Sequence, residues 1–328
     1  MPNIITHALC AQDALSTVEN LDLKRLVQKY PQVFSMASSG PDFIFYYHTF
    51  PWQDQSRCSE VYHVGNQIHS TKINDFYLKA IELIQLESDV HKQEIQTVFI
   101  TGHLMHWSLD SCAHPYIYFH TGEMKGATKY WHYRFESMLD TLMVQKVKKY
   151  KLSETKSYEM VYSTAETQDI IADFYEAIVA AVYNVSLGKD IYIECFQSMN
   201  TVSKLLFDPH QTKLPFIKIL EKQMKTPWKF SSHMILGEND EKHDILNLTH
   251  QTWNHPTDPN LSTHESFIDL YQKGVLRAQA CLYSLEGIFN QSLKTSSLIS
   301  ILQDRDYETG FANPGPMISY RPIYLEGE

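Results

Sequence analysis

The stretch Gly102 to Glu136 reads GHLMHWSLDSCAHPYIYFHTGEMKGATKYWHYRFE and contains five histidines within thirty residues. Within it, His106, Asp110 and His114 recur at positions i, i+4 and i+8. At about 100° per residue, these three side chains span only about 80° of a helix and therefore share one face. The spacing predicts a helix with one imidazole-rich and carboxylate-bearing face.

A second pair of the same kind follows on the next predicted helix, where His132 and Glu136 repeat the i, i+4 spacing. Side chains at this spacing have Cβ atoms about 5–6 Å apart, which is close enough to hold one ion or a pair of ions. Imidazole and carboxylate groups are zinc ligands, and a zinc site does not require cysteine. The two helical segments together predict most of a metal site.

The composition is that of an ordinary globular protein, with 43% hydrophobic and 20% charged residues among 328. The formal charge of −10 does not favour a broad phosphate-binding surface, which is usually basic, so nucleic acid is an unlikely partner. The net charge does not exclude a small phosphoester as a ligand, because bound zinc adds local positive charge that the residue count omits. One or two domains fit this length.

The cysteines and the N-terminus indicate the compartment. The five cysteines are scattered without a CxxC pair, which favours a reducing environment. The N-terminus MPNIITHALCAQDAL lacks the basic start and apolar core of a signal peptide. The run Ile170 to Val185 contains two acidic residues and is too short to span a bilayer. We expect a cytoplasmic protein without a membrane span, and no amphipathic membrane anchor is evident.

Long segments of the chain carry a helical period, and strand signals are few. The predicted helices are Leu15–Gln28, Lys72–Leu86, Gln93–Ala113, Thr128–Tyr150, Thr164–Asn184, Asp190–Leu206 and Ser266–Phe289. Because proline disfavours the α conformation in the preceding residue, the third helix is predicted to stop near His114. We expect an all-α fold, with a metal-site core in residues 1–150 and a helical half in residues 151–328 packed on it in the same domain.

Three further candidate ligands precede the central stretch. They are His7 near the N-terminus, Asp42 in the turn SGPD, and His69 in GNQIH. With the spacing H-x3-D-x3-H-x17-H-x3-E that follows, the order from Met1 to about Asp140 resembles the zinc-dependent phospholipase C family. That family shares its fold and its trinuclear zinc site with the P1/S1 nucleases.

The resemblance implies a compact multi-helix domain with up to three Zn²⁺ ions and extra C-terminal helices. The first ion would be bound by Asp42, His69, His106 and Asp110. The second would be bound by His7, Asp110 and the N-terminal amine and carbonyl, which are those of Pro2 once Met1 is removed. The third would be bound by His114, His132 and Glu136. Asp110 would bridge the first two ions, since a carboxylate has two oxygens to offer.

Two points stay open in this assignment. The gap between Asp42 and His69 also contains His48 and His63, and either histidine can replace His69 as the ligand. If Met1 is retained, the N-terminal amine shifts by one residue and the second ion loses part of its shell.

The implied reaction is hydrolysis of a phosphodiester by a metal-activated water, with Asp42 and Asp110 as catalytic residues. A small phosphodiester or a phospholipid head group would be the substrate. The alternatives are a non-catalytic zinc-binding helical protein and a nuclease of the P1/S1 type. The sequence does not indicate an oligomeric state.

Overall fold

The computed structural model describes residues 4–19, 21–50, 52–126, 128–237 and 243–324, and this part of the chain is mostly helical. Its α-helices are α1 (Ile4–Thr17), α2 (Asp22–Lys29), α3 (Pro31–Ala37), α4 (Cys58–Ser70), α5 (Ile73–Leu86), α6 (Val90–Thr121), α7 (Thr128–Leu142), α8 (Ser157–Met160), α9 (Ala165–Tyr183), α10 (Lys189–Leu206), α11 (Leu214–Met224), α12 (Phe267–Phe289) and α13 (Ser296–Leu302). Short 3-10 helices lie at Gly40–Tyr46, Leu152–Glu154 and Ser231–His233, and a π-helical turn follows α7 at Met143–Val147. The predicted all-α fold is confirmed.

Two small sheets complete the described secondary structure. Strands β1 (Phe207–Asp208) and β2 (Ile235–Leu236) pair in parallel. Strands β3 (Trp253–His255) and β4 (Asp258–Thr263) form an antiparallel hairpin with an irregularity near His255. Neither sheet carries a predicted site residue, so the helices position the site.

The central helix is α6, which has 32 residues and is buried along most of its length. It begins after Asp89, whose side chain accepts hydrogen bonds from the backbone N–H groups of His91 and Lys92. Helices α1, α3, α7 and α12 pack around it. A helix that is buried on all sides can hold polar side chains away from water, and three of the candidate ligands lie on it.

The prediction that this helix stops near His114 is wrong, because α6 continues through Pro115 to Thr121. Pro115 has no N–H to donate to the carbonyl of Ser111, four residues earlier. Gly310 packs against that carbonyl so closely that a Cβ there would lie 2.1 Å from the oxygen. Tertiary packing thus covers the backbone group that proline leaves unpaired, and Gly310, with φ of +67°, is required at this contact.

The other helix boundaries agree with the prediction to within a few residues, with two exceptions. The predicted helix Leu15–Gln28 is interrupted, since α1 ends at Thr17 and α2 begins at Asp22. The predicted helix Thr128–Tyr150 ends its α-helical part at Leu142. The apolar period of the sequence does not report these breaks.

One hydrophobic cluster runs through the described residues, from Ile4 on α1 to Tyr324 near the C-terminus. Its members come from both sequence halves, 1–150 and 151–328. That both halves form one domain stays a prediction, which this continuous core supports. Among the described residues, no helix combines the length and the apolar character needed to cross a bilayer.

Candidate metal centre

The helix α6 supplies three side chains to the centre. His106, Asp110 and His114 lie on one face, as the spacing predicts, and all three are buried. Nε2 of His106 lies 2.8 Å from Oδ2 of Asp110. Nδ1 of His114 lies 3.6 Å from the same Oδ2. The face therefore places Asp110 between two imidazoles.

The helix α7 supplies His132 and Glu136, which are also buried. Oε1 of Glu136 lies 2.9 Å from Nε2 of His132 and 3.5 Å from Nε2 of His114. The ligand atoms of these three residues all lie within 4.8 Å of one another. The structure thus brings together the set that the resemblance assigns to the third ion.

On α1, His7 faces the other side of Asp110. Nε2 of His7 lies 3.1 Å from Oδ1 of Asp110, while Oδ2 is turned to His106. The rings of His7 and His106 stack with centroids 3.8 Å apart. The two oxygens of one carboxylate therefore face two different histidines. His7, His106 and Asp110 form a second close group of ligand atoms.

Asp42 lies in the 3-10 helix Gly40–Tyr46 and is buried. Its Oδ1 lies 3.0 Å from Nε2 of His69 and 3.5 Å from Nε2 of His106. Gly40, with φ of +56°, lets this turn lie against α6, because a Cβ at Gly40 would lie 2.3 Å from Cδ2 of His106. Asp42, His69 and His106 form the third close group, so His106 belongs to two of the three.

Of the three histidines considered for the partner of Asp42, the structure places His69 beside it. His69 is in the last turn of α4 and is buried. His63, on the same helix, is exposed. Nε2 of His48 instead lies 2.7 Å from Oε1 of Glu194. The other predicted ligand, Pro2, lies outside the described residues.

The backbone fixes the ring orientation of His106 and His69. Nδ1 of His106 lies 3.1 Å from the carbonyl oxygen of Ser38, and Nδ1 of His69 lies 2.8 Å from that of Gly65. A carbonyl only accepts hydrogen bonds, so each Nδ1 carries the proton and donates it. Each Nε2 then points towards the carboxylates, where a bound metal would take the place of any proton on it. Such a bond on the far nitrogen is the usual support of a metal-binding histidine.

The same arrangement holds for His114 and His132. Nδ1 of His114 donates to the carbonyl of Tyr307 over 2.9 Å. Nδ1 of His132 lies 3.3 Å from the hydroxyl of Thr121, which itself donates to the carbonyl of Ile117 and can therefore accept the ring proton. All four rings thus present Nε2 to the centre.

Several contacts between these side chains are close but lack hydrogen-bond geometry. Within the described part of the chain, both oxygens of Asp110, both ring nitrogens of His7 and Nε2 of His106 are buried without a hydrogen-bond partner. Ligands of one tetrahedral zinc lie about 3.3 Å apart when each bond to the metal is about 2.0–2.1 Å. Buried polar atoms without partners are costly, and such atoms converging at this separation are arranged as cation ligands. The residues fit zinc.

The electrostatics of the centre also fit a cation. Burial lowers the pKa of His114 to about 4, and burial together with His106 lowers the pKa of His7. These rings are neutral at pH 7, which is the form that binds metals. Burial alone would lower the pKa of His106, but the carboxylates of Asp110 and Asp42 raise it to about 10. Without a metal, the proton on His106 supplies the positive charge that these two carboxylates attract.

Residues far along the chain also support the centre. We name residues 305–310 the C-terminal loop. Tyr307 donates its N–H to the carbonyl of His69 over 2.9 Å and accepts from His114 with its own carbonyl. The indole of Trp107 donates to the carbonyl of Arg305. These contacts were not predicted, because backbone groups leave no signature in a sequence.

Asp140 is a second residue that was not predicted, although its spacing was visible. It follows His132 and Glu136 at i+8 on α7 and is fully buried. Its Oδ1 accepts from the N–H and the hydroxyl of Thr6 over 2.8 and 2.6 Å, and Oδ2 accepts from the N–H of Ile5 over 3.1 Å. Asp140 therefore holds the first turn of α1, the helix that carries His7.

Replacing Asp140 by alanine is expected to destabilise the protein by about 2–4 kcal/mol, because it leaves two buried N–H groups and a hydroxyl without their acceptor. The zinc content should fall by about one ion, as His7 loses its fixed position. Thermal unfolding and metal analysis measure both effects. The matched control is Asp22→Ala, which removes an exposed carboxylate from the first turn of α2. Equal losses in the two variants would contradict a positioning role.

Comparison with known proteins agrees with this geometry. A family model described as zinc-dependent phospholipase C matches residues 6–185, which is more than half of the chain. No curated protein and no solved structure gives a significant match. The matched region contains His7 and every other described candidate ligand, and the three close groups can hold up to three metal ions.

Proposed function

Because the chain belongs to the zinc-dependent phospholipase C family, we propose that it hydrolyses a phosphodiester bond, in a phospholipid or a related small phosphodiester. The family match and the buried groups fit a zinc-dependent hydrolase. The observation that carries the proposal is the position of Asp110, whose two oxygens lie 3.1 and 2.8 Å from Nε2 of His7 and of His106. A buried carboxylate shared in this way suits a site with two adjacent cations.

The proposed ligands follow the close groups. Asp42, His69, His106 and Asp110 would hold one ion, and His7 with Asp110 and the N-terminal amine and carbonyl of Pro2 would hold another. The third ion would be held by His114, His132 and Glu136. Three protein ligands leave a zinc with an open position, which is the catalytic arrangement rather than the closed structural one.

Bound zinc lowers the pKa of water towards neutrality and offsets negative charge on phosphate oxygens. The protein's own contribution is to orient the reactants. Burial alone would raise the pKa of Asp42, but His106 and His69 lower it below the usual range. A carboxylate beside the proposed ions can orient the attacking water or accept its proton, and we assign Asp42 to one of these two roles.

In the proposed reaction, the water oxygen bonds to phosphorus and the bond from phosphorus to the departing ester oxygen breaks. The departing oxygen takes up a proton, so the products are an alcohol and a phosphomonoester. The charge of −10 favours a small substrate or a head group over nucleic acid. The cytoplasmic location stays a prediction.

The proposal is tested by counting metal ions in protein that has its native N-terminus, and then assaying three substrates. Close to three zinc ions per chain, with hydrolysis of phosphatidylcholine or bis-p-nitrophenyl phosphate, would support it. Hydrolysis of single-stranded DNA in preference to both would instead support a P1/S1-type nuclease. One zinc ion and no hydrolysis would support a non-catalytic zinc-binding protein.

Replacing Glu136 by glutamine is expected to weaken zinc binding at the group on α7 at least about a hundredfold. Loss of an indirect partner of a metal site already costs about 10–100-fold, and Glu136 is proposed to bind the ion directly. About two zinc ions should remain, and hydrolysis should fall. Glu123→Gln, at an exposed position shortly before α7, is the control. Three tightly held ions in Glu136→Gln would argue against this ligand.

A further inference from the structure

The helix α11 lies outside the region matched by the family and carries an exposed apolar face. Phe216, Ile219, Leu220 and Met224 are 75, 57, 43 and 44% exposed. Their spacing of i, i+3, i+4 and i+8 places them along one side of the helix. Large apolar side chains exposed singly are common, but four along one short helix mark a binding surface.

The opposite side of the helix fixes it to the protein. Leu214 and Ile217 pack with Met234 and Leu236 in a small cluster separate from the main core. The buried carboxylate of Glu221 accepts from the N–H groups of Phe230 and Ser231, at 2.6 and 2.7 Å. The exposed apolar face is therefore not a frayed segment but the outer side of an anchored helix.

This segment is basic although the chain as a whole is acidic, and residues 146–156 form a second segment with the same net charge of +4. From Lys213 to Lys229 there are five lysines and one acidic residue, Glu221, so the segment carries +4 in a chain of −10. Lys218, Lys222 and Lys225 are exposed. Glu221 is buried and its carboxylate is turned towards the protein, so it does not offset this charge at the surface.

We propose that α11 docks the protein on an anionic membrane surface, with its apolar face in the lipid interface and its lysines at the head groups. A short helix with an apolar face and a lysine-rich flank has the form of an interfacial helix, and acidic lipids attract such lysines. The helix of 11 residues is about 16 Å long, whereas a stable protein interface takes about 20–30 residues a side. Charge and size together favour lipid over a protein partner.

The docking helix is linked to the metal centre through a few contacts. Glu221 holds the 3-10 helix Ser231–His233. The hydroxyl of Ser137 on α7 donates to the carbonyl of Ser232 over 2.8 Å, and the rings of Tyr133 and His233 stack at 4.1 Å. The helix α7 carries His132 and Glu136. This inference rests on the proposed function, because docking on a membrane would bring the metal centre to a lipid substrate.

The test is co-sedimentation of the full-length protein with vesicles of phosphatidylcholine and phosphatidylserine in a 7:3 ratio, a composition chosen to be anionic (about 30% acidic lipid). The double variant F216S/L220S should bind at least about tenfold more weakly, because it removes two apolar side chains from the interface. The triple variant K218Q/K222Q/K225Q should bind about a hundredfold more weakly, at about fivefold per lysine. The wild-type protein should also bind more weakly to vesicles of pure phosphatidylcholine, and more weakly at high salt.

The matched control is L86S/V90S, which removes two apolar side chains that are 71 and 66% exposed outside α11. It should bind like the wild-type protein, and all variants should unfold at the same temperature, since the changed residues are exposed. Equal losses in L86S/V90S and F216S/L220S would overturn the proposal. So would absence of wild-type binding, or a dimer in solution that F216S/L220S converts to a monomer, because the face would then bind a second copy of the chain.

Hydrolysis of soluble bis-p-nitrophenyl phosphate separates this inference from the proposed function. F216S/L220S should retain that activity and lose binding to vesicles. Vesicle binding without any hydrolysis would contradict the proposed function but still support the docking surface. Hydrolysis without vesicle binding would contradict the docking surface but still support the proposed function.

Discussion

Replacing Asp110 by asparagine should lower hydrolysis at least about a thousandfold and reduce the zinc content from about three ions to about one. Oδ1 of Asp110 faces His7 and Oδ2 faces His106, at 3.1 and 2.8 Å, and the residue is fully buried. Asparagine has the same shape but no charge, and one of its two polar ends is a donor that cannot bind a cation. A bound metal contributes several kcal/mol to such reactions, and a thousandfold loss corresponds to about 4 kcal/mol.

Metal analysis and steady-state hydrolysis of a soluble phosphodiester check this result. Asp75→Asn makes the same chemical change at an exposed position in the first turn of α5 and should leave both quantities unchanged. The group of His114, His132 and Glu136 should keep its ion in the Asp110 variant. Full activity with three ions retained would show that Asp110 does not bridge.

Removing the metal with a chelator should lower the melting temperature by at least about 10 °C and abolish hydrolysis. An ion present at a thousand times its dissociation constant stabilises the folded state by about 4 kcal/mol. Each kcal/mol moves the midpoint by about 2–4 °C in chains of 150–250 residues, and by somewhat less in a longer chain. Up to three ions can be held here, and without them the buried carboxylates of Asp42 and Asp110 have only the proton on His106 to offset their charge nearby.

Calorimetry with and without chelator measures the shift, and added metal tests its origin. Zinc should restore both stability and activity. Magnesium should not, because it prefers oxygen ligands in an octahedral shell, whereas these groups are rich in imidazole. An unchanged melting temperature after complete removal of zinc would contradict the proposed contribution of the metal to folding.

The parts of the centre that lie within one helix followed from the sequence. The spacing of His106, Asp110 and His114 fixes a shared face once the segment is helical, and the same holds for His132 and Glu136. The pairing of these residues with His7, Asp42 and His69 came from the resemblance. Helix geometry does not determine how segments distant in the sequence meet.

Three features escaped prediction, each for a different physical reason. The passage of α6 through Pro115 depends on Gly310, which lies almost two hundred residues later and covers the carbonyl that proline leaves unpaired. The support of His114 by Tyr307 uses a main-chain carbonyl, which every residue has. The exposed face of α11 consists of apolar residues that, in a sequence, are indistinguishable from buried ones, because tertiary packing decides which side of a helix meets water.

The C-terminal loop has a consequence for the order in which the protein matures. Every described candidate ligand has been synthesised by residue 136, but Tyr307, which contacts both His69 and His114, follows 193 residues after the latter. Contacts over such separations form late in folding, because a long loop must close first. A nascent chain therefore displays its candidate zinc ligands before Tyr307 can fix the positions of His69 and His114.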